Sequence, residues 1–298
     1  MSSNSRKHKI VRGFTQTGRI KVLSPAKINL CLHITGKRAD GFHNLLSLMC
    51  CINLYDKLYI DLGVEKTAIT CTDPGVPSDK TNIALQAARL FLKSIDIDET
   101  IGIHIIKRIP VGAGLGGGSS NAAAVLLALN RYYDYPFSRK QLSLMGLSLG
   151  ADVPFLIFQK PAIVSGIGEK IEPFYGLSNR HILLIYPGVS ISTGEVFKKY
   201  DLRLTKTPKK NRIHFLLNGE IEFESLLWND LEAVTTAGHP EISEAKEALL
   251  NQGARGALMT GSGSSVFGLF SDHSRVKTAC DALLHNINWR FFLAELIV

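Results

Sequence analysis

The chain has 298 residues, 45% of them hydrophobic and 20% charged, which is enough apolar material for one large core or two packed lobes. No apolar run reaches the roughly 18 residues of a membrane-spanning helix, so no membrane partner is expected, and five cysteines without a CxxC pair point to a reduced, cytoplasmic setting. Of the net charge of +8, Arg6, Lys7, Lys9, Arg12 and Arg19 supply +5, and without interleaved aromatics this basic tail does not read as a nucleic-acid module.

In chain order, residues 1–20 are polar, basic and aperiodic, with no apolar signal core, and are expected to form a disordered extension. From Lys21 the pattern turns globular. β-type runs predict strands over 28–34, 57–62, 69–72 and 101–106. Ile83, Leu85, Ala88, Phe91 and Leu92 share one side of a predicted helix over 82–93. A second predicted helix covers 121–132, directly after a glycine-rich loop. A third covers 138–149, where Ser138 and Gln141 have capping-box spacing and Gly150 can supply a left-handed stop.

Beyond residue 165 the pattern predicts a strand over 181–186 and then a polar loop carrying Arg203, Lys206, Lys209, Lys210 and Arg212. A helix over 241–252 ends at Gly253. A second glycine loop at 260–265 precedes a strand over 266–270, a helix over 275–285 and a last strand over 291–297. Strands and helices mix without strict βαβ alternation. The expected class is therefore α+β, with two lobes at 21–165 and 166–298.

The segment Pro110, Val111, Gly112, Ala113, Gly114, Leu115, Gly116, Gly117, Gly118, Ser119, Ser120 lies between a predicted strand and a predicted helix. Five glycines in that space cost backbone entropy and exceed what a plain connection needs. Glycine lets backbone approach a ligand closely and aim several N–H groups at one anion, and a following helix adds its positive end. Ser119 and Ser120 can offer hydroxyls to phosphate or Mg²⁺. Gly118 is followed by serine rather than lysine, so this is not a Walker loop. Gly112, Gly114 and Gly117 also match the dinucleotide string, with Asp134 near the offset of a ribose acid, although no βαβ unit precedes them. HRD and DFG strings, which mark protein kinases, are missing. The loop indicates phosphates without fixing the reaction.

Lys27 and Asn29 open an apolar strand and point to the same face. Asp152 sits at a helix-to-loop junction ahead of Pro154. Taken singly, Asp152 fits a helix cap and Lys27 a snorkelling surface lysine. Four segments stand together: PAKINLCLHITGKRADGFHNL at 25–45, PVGAGLGGGSSNAAAVLLALN at 110–130, LGADVPF at 149–155 and LMTGSGSSVFGLF at 258–270. In order and spacing they resemble the GHMP kinases, the group of galactokinase, homoserine kinase and mevalonate kinase. The likeness is strongest to members that phosphorylate a cytidine diphosphate-linked polyol in non-mevalonate isoprenoid synthesis.

That resemblance implies a two-lobed GHMP fold with the active site in the cleft between lobes, using ATP and Mg²⁺ on a small-molecule substrate, as a monomer or weak homodimer. It implies Asp152 as catalytic base and Lys27 as its partner, chemistry that suits phosphoryl transfer, which needs positioning and charge neutralisation more than covalent catalysis. It places Asn29, Phe42, His43, Thr193 and Phe197 at the acceptor substrate and Asn82 and Lys107 around the adenine. Phe42 stands where relatives often carry tyrosine, so a hydroxyl is lost there. A mevalonate- or homoserine-type member of the group and a dinucleotide-dependent oxidoreductase stand as alternative readings.

Overall fold

A computed structural model describes residues 19–200 and 223–298. Its spine is β2 (His43–Leu62), which pairs antiparallel along its length with β1 (Arg19–Lys37). The opposite edge of β2 carries three strands in succession. β5 (Ala162–Gly166) joins at residues 45–49, the end of β11 (Arg290–Ile297) at 51–52, and β4 (Ile101–Ile106) at 57–62. β3 (Ala68–Cys71) extends β4 in parallel, and β6 (Lys170–Pro173) hairpins onto β5.

β11 also pairs with β7 (His181–Tyr186), which continues through β10 (Val266–Phe270) to β9 (Gly256–Met259). β11 therefore stitches the two halves into one sheet of order β3-β4-β2-β11-β7-β10-β9. A short β8 (Trp228–Asn229) runs parallel to β1 at Cys31 and Leu32.

The first half is covered by α1 (Ile83–Ser94), α2 (Gly117–Tyr132), α3 (Arg139–Leu147) and α4 (Val153–Phe158). Phe91, Leu126, Leu129 and Phe155 pack there on Leu58, Ile60, Ile103 and Ile105. In the second half α5 (Thr193–Lys199), α6 (Glu232–Thr236), α7 (Pro240–Asn251) and α8 (His273–Leu283) bury Ile242, Leu249 and Val276 against Leu183, Ile185 and Phe270. A third cluster crosses between them, with Ile28, Leu30 and Ile52 meeting Leu184, Phe267 and Leu296. Each such side chain contributes about 1.5–3 kcal/mol on full burial, so the crossing cluster holds the cleft walls at fixed distance.

The α+β class holds, with several boundaries moved. Residue 165 falls inside β5, whose hairpin with β6 belongs to β2, so the sheet does not divide there. α2 starts at Gly117 rather than at residue 121, because a helical turn made of Gly-Gly-Ser-Ser carries no apolar periodicity. The capping box of Ser138 and Gln141 is present, and Gly253 takes the left-handed conformation (φ 84°). Gly150 does not. Glycine is used there for room, since a Cβ would come within 3.3 Å of Ser119 Oγ.

Of residues 1–20, only Arg19 and Ile20 are described, as the start of β1, and the basic run 203–212 lies outside the described residues. All five cysteines are free thiols. No described helix is long and apolar enough to cross a membrane.

Candidate active site

Lys27 and Asn29 lie between two register shifts in β1, at Pro25/Ala26 and Asn29/Cys31. Pro25 has no N–H to give to the ladder, and bulges of this kind re-aim neighbouring side chains. Both residues are 4% exposed. Lys27 Nζ donates to Asn29 Oδ1 at 2.7 Å and lies 3.6 Å from Asp152 Oδ2. The Asn29 amide is held in turn, because its Nδ2 donates to Ser47 Oγ at 2.8 Å and Ser47 Oγ donates to the Cys31 carbonyl at 2.6 Å. The backbone N–H of Asn29 donates to Thr260 Oγ1 at 2.9 Å, tying this strand to the second glycine loop.

Asp152 occupies the N-cap position of α4 yet makes no capping hydrogen bond, and its side chain is 37% exposed. The simple cap role is not fulfilled. Its carboxylate faces the cleft beside Lys27.

The glycine loop reaches this pair from the other side. Gly112, Gly114 and Gly116 have φ of 63°, 76° and 66°, while Ala113 and Leu115 between them are not left-handed. Alternation of this kind curls a backbone into a concave nest of N–H groups that suits an anion. Gly116 also caps α2 with no side chain, so the first-turn amides at 117–119 and the positive helix end open onto the same concavity.

Space requires glycine too. A Cβ on Gly114 would stand 2.1 Å from the Thr260 carbonyl, and one on Gly116 would stand 2.9 Å from Lys27 Cγ and 3.5 Å from Asp152 Oδ2. The loop is pinned by backbone bonds, with Lys27 N–H donating to Leu115 O at 3.0 Å, Ile191 N–H to Gly112 O at 2.9 Å and Ser265 N–H to Ala113 O at 3.2 Å.

One cleft of about 920 Å³ is lined by Lys27, Asn29, Phe42, His43, Asn82, Lys107, residues 110–119, Asp152, Thr193 and Phe197. That volume lies toward the upper end of the range of about 300–1,000 Å³ for small-molecule sites. His43 and Phe197 stand 5.4 Å apart, tilted by 32°, and Phe42 is 59% exposed at the rim. Burial, helped by the charge of Lys37, holds the His43 imidazole below its ordinary pKa. Thr193 Oγ1 and Ser262 Oγ share a hydrogen bond of 2.8 Å, joining α5 to the second glycine loop.

Three expected ligand groups are differently employed. Ser120 does not line the cleft: its hydroxyl is buried, donates to the Pro25 carbonyl at 2.6 Å and accepts from Ser24 Oγ at 2.7 Å, because as the fourth residue of α2 it points down into the core. Asn82 borders the cleft but spends its amide on structure, accepting from Ala84 N–H at 2.9 Å and donating to the Pro77 carbonyl at 2.7 Å. Lys107 borders it too, with its ammonium bonded at 2.6 Å to a buried carboxylate, Asp56. Asp134 lies past the far end of α2 and does not line the cleft, which removes the ribose acid of the dinucleotide reading.

Asp56, Ser47 and Ser262 were not singled out in the sequence. Ser47 is a lone polar residue in an apolar strand, Asp56 stands beside Lys57 and Ser262 is one of several small residues in its loop, so only tertiary pairing gives each a role.

Residues 82–160 match the family description "GHMP kinases N terminal domain", and residues 215–287 match "GHMP kinases C terminal". The chain belongs to the GHMP kinases. A relative from Syntrophotalea carbinolica, 43% identical over 92% of this chain and 97% of its own length, is named 4-diphosphocytidyl-2-C-methyl-D-erythritol kinase. A crystal structure of a 4-(cytidine 5'-diphospho)-2C-methyl-D-erythritol kinase superposes with TM-score 0.77 at 33% identity, covering 93% of this chain and 99% of that one. Homoserine kinase from Cytophaga hutchinsonii shares the fold at TM-score 0.72 and 19% identity, covering 97% of each chain.

Proposed function

We propose that the chain transfers the γ-phosphoryl group of ATP to the 2-hydroxyl of 4-diphosphocytidyl-2-C-methyl-D-erythritol. The observation that carries this reading is the meeting of the loop and the pair: Gly116 is packed on the Lys27 side chain, and Lys27 Nζ lies 3.6 Å from Asp152 Oδ2.

In this reading the nest at Gly112–Gly116 and the amides opening α2 hold the phosphates. Asp152 accepts the proton of the attacking hydroxyl as the new P–O bond forms at the γ-phosphorus. The bond from that phosphorus to the β–γ bridging oxygen breaks, and ADP leaves with the electron pair. Lys27, steadied by Asn29, offsets charge on the transferring group. His43 and Phe197, whose ring centroids lie 5.4 Å apart, form one wall for the cytosine at the other end of the cleft, the imidazole offering a hydrogen bond and the phenyl an apolar face. A mevalonate- or homoserine-sized acceptor would leave that end unused.

No cluster of three His, Cys, Asp or Glu side chains among the described residues could hold a metal. The donors present, Ser119 Oγ and the Asp152 carboxylate, suit a Mg²⁺ ion that arrives with the nucleotide and keeps phosphate and water ligands. When bound, such an ion neutralises phosphate charge.

An ADP-release assay across an acceptor panel tests the proposal. Turnover with the cytidyl substrate and none with mevalonate or homoserine is expected; the reverse pattern overturns it.

A further inference from the structure

Beneath the phosphate loop runs a buried polar chain that the proposed chemistry does not use. Asp56, on β2, is 0% exposed and accepts from four donors. Its Oδ1 takes the backbone N–H groups of Arg108 (2.8 Å) and Ile109 (2.9 Å), the two residues that lead into Pro110. Its Oδ2 takes Lys107 Nζ (2.6 Å) and Asn121 Nδ2 (3.0 Å). Asn121 directly follows Ser120. One carboxylate thus holds both stems of the loop, and all its acceptor sites are filled.

The chain continues. Asn121 Nδ2 donates also to Ser24 Oγ at 3.0 Å, Ser24 Oγ donates to Ser120 Oγ at 2.7 Å, and Ser120 Oγ donates to the Pro25 carbonyl at 2.6 Å. Asn121 Nδ2 gives its two hydrogens to two acceptors and each serine hydroxyl gives its one hydrogen to the next oxygen, so the directions are consistent from end to end. Ser24, Ser120 and Asn121 are each at most 2% exposed. The chain ends two residues before Lys27, at the bulge that aims Lys27 into the cleft.

We infer that Asp56, Asn121, Ser24 and Ser120 are positioning residues that set the distance between the phosphate loop and the Lys27–Asp152 pair. Asp56, Ser24 and Ser120 do not line the cleft, and Asn121 borders it with its amide N–H groups given to Ser24 and Asp56. A core could be closed more cheaply with apolar side chains, because a buried polar chain only breaks even when each member is satisfied. Here its two ends lie on the two parts whose separation fixes in-line transfer, the loop that holds the donor and the strand that carries Lys27. Ser120 belongs to this device rather than to the phosphates.

The inference rests on the phosphotransfer reading, and its test separates the two. Ser24→Ala, Ser120→Ala and the double variant are compared for kcat, for KM of ATP and of the cytidyl acceptor, and for Tm. Each single change should lower kcat about 10- to 100-fold at a temperature well below Tm, with acceptor KM within about twofold. The double variant should lose no more than the worse single one, since the two hydroxyls act as one chain. Unchanged kcat with a lowered Tm would show an ordinary core contact, and multiplying effects would show independent roles; either overturns the inference.

Should the wild type fail to phosphorylate, the phosphotransfer reading falls alone. Amide hydrogen exchange over 111–119 in the same variants then decides. Faster exchange than in the wild type supports the positioning chain, and unchanged exchange overturns it.

Discussion

Asp56 Oδ2 and Lys107 Nζ form a 2.6 Å ion pair across 51 residues of sequence, with side chains 0% and 4% exposed. A buried pair of this kind gains little over apolar packing, but losing one partner strands the other charge, at about 3–5 kcal/mol. Asp56→Ala should therefore lower unfolding stability by about that amount in urea titrations. Asp56→Leu combined with Lys107→Met should recover only the part due to the stranded ammonium, because the N–H groups of Arg108 and Ile109 and the Asn121 amide still lose their acceptor. A loss under about 1 kcal/mol for Asp56→Ala would contradict the buried-charge account.

His43 gives the pH dependence. Burial, then the charge of Lys37, hold its pKa below the ordinary value. The sign follows: the folded protein binds this proton less readily than the unfolded chain. The contribution to stability is present above the ordinary histidine pKa of about 6.5 and is lost as pH falls through the lower folded value. Acceptor KM should be flat from pH 8 to neutrality and rise only in the acidic limb. His43→Ala should remove that limb. Loss of the contact that the imidazole makes with the cytosine, worth about 0.5–1.5 kcal/mol, raises acceptor KM roughly 2- to 12-fold with kcat little changed. An acidic limb that survives in His43→Ala would assign the titration elsewhere.

Gly114 tests the packing of the two glycine loops. With φ at 76° and the Thr260 carbonyl 2.1 Å from where a Cβ would stand, alanine forces the loops apart. Gly114→Ala should raise ATP KM at least about tenfold, given the left-handed cost of about 1–2 kcal/mol and the added clash. Gly253→Ala, also left-handed but with open space around it, should act on stability and leave ATP KM alone. Equal effects of the two on ATP KM would contradict the close-approach argument.

The sequence was most legible where chemistry needs unusual residues. Five glycines in one loop, Lys27 with Asn29 on one strand face, and Asp152 before a proline all meet in one cleft. Strand β2 was seen only over its last third. Its middle, Leu48 to Ile52, is buried on both faces, with Met49 and Cys51 in the helix-covered core and Leu48, Cys50 and Ile52 in the crossing cluster, so period-two alternation disappears there. α4 and α5, of 6 and 7 residues, are too short to show a helical period. Asp56 was silent because an acid between Tyr55 and Lys57 looks like a surface residue until β4 pairs beside it. Ser120 shows the opposite error. Its place beside the glycines suggested a ligand, and the rotation of α2 turns it into the core.

Asp152 tests the account most directly. Single-turnover transfer of labelled γ-phosphate from ATP to 4-diphosphocytidyl-2-C-methyl-D-erythritol should be rapid in the wild type. In Asp152→Asn the rate should fall by about 10²- to 10⁴-fold, the range for a lost general base, with ATP affinity within about twofold. Transfer at the wild-type rate in Asp152→Asn would contradict the placing of the proton on this carboxylate.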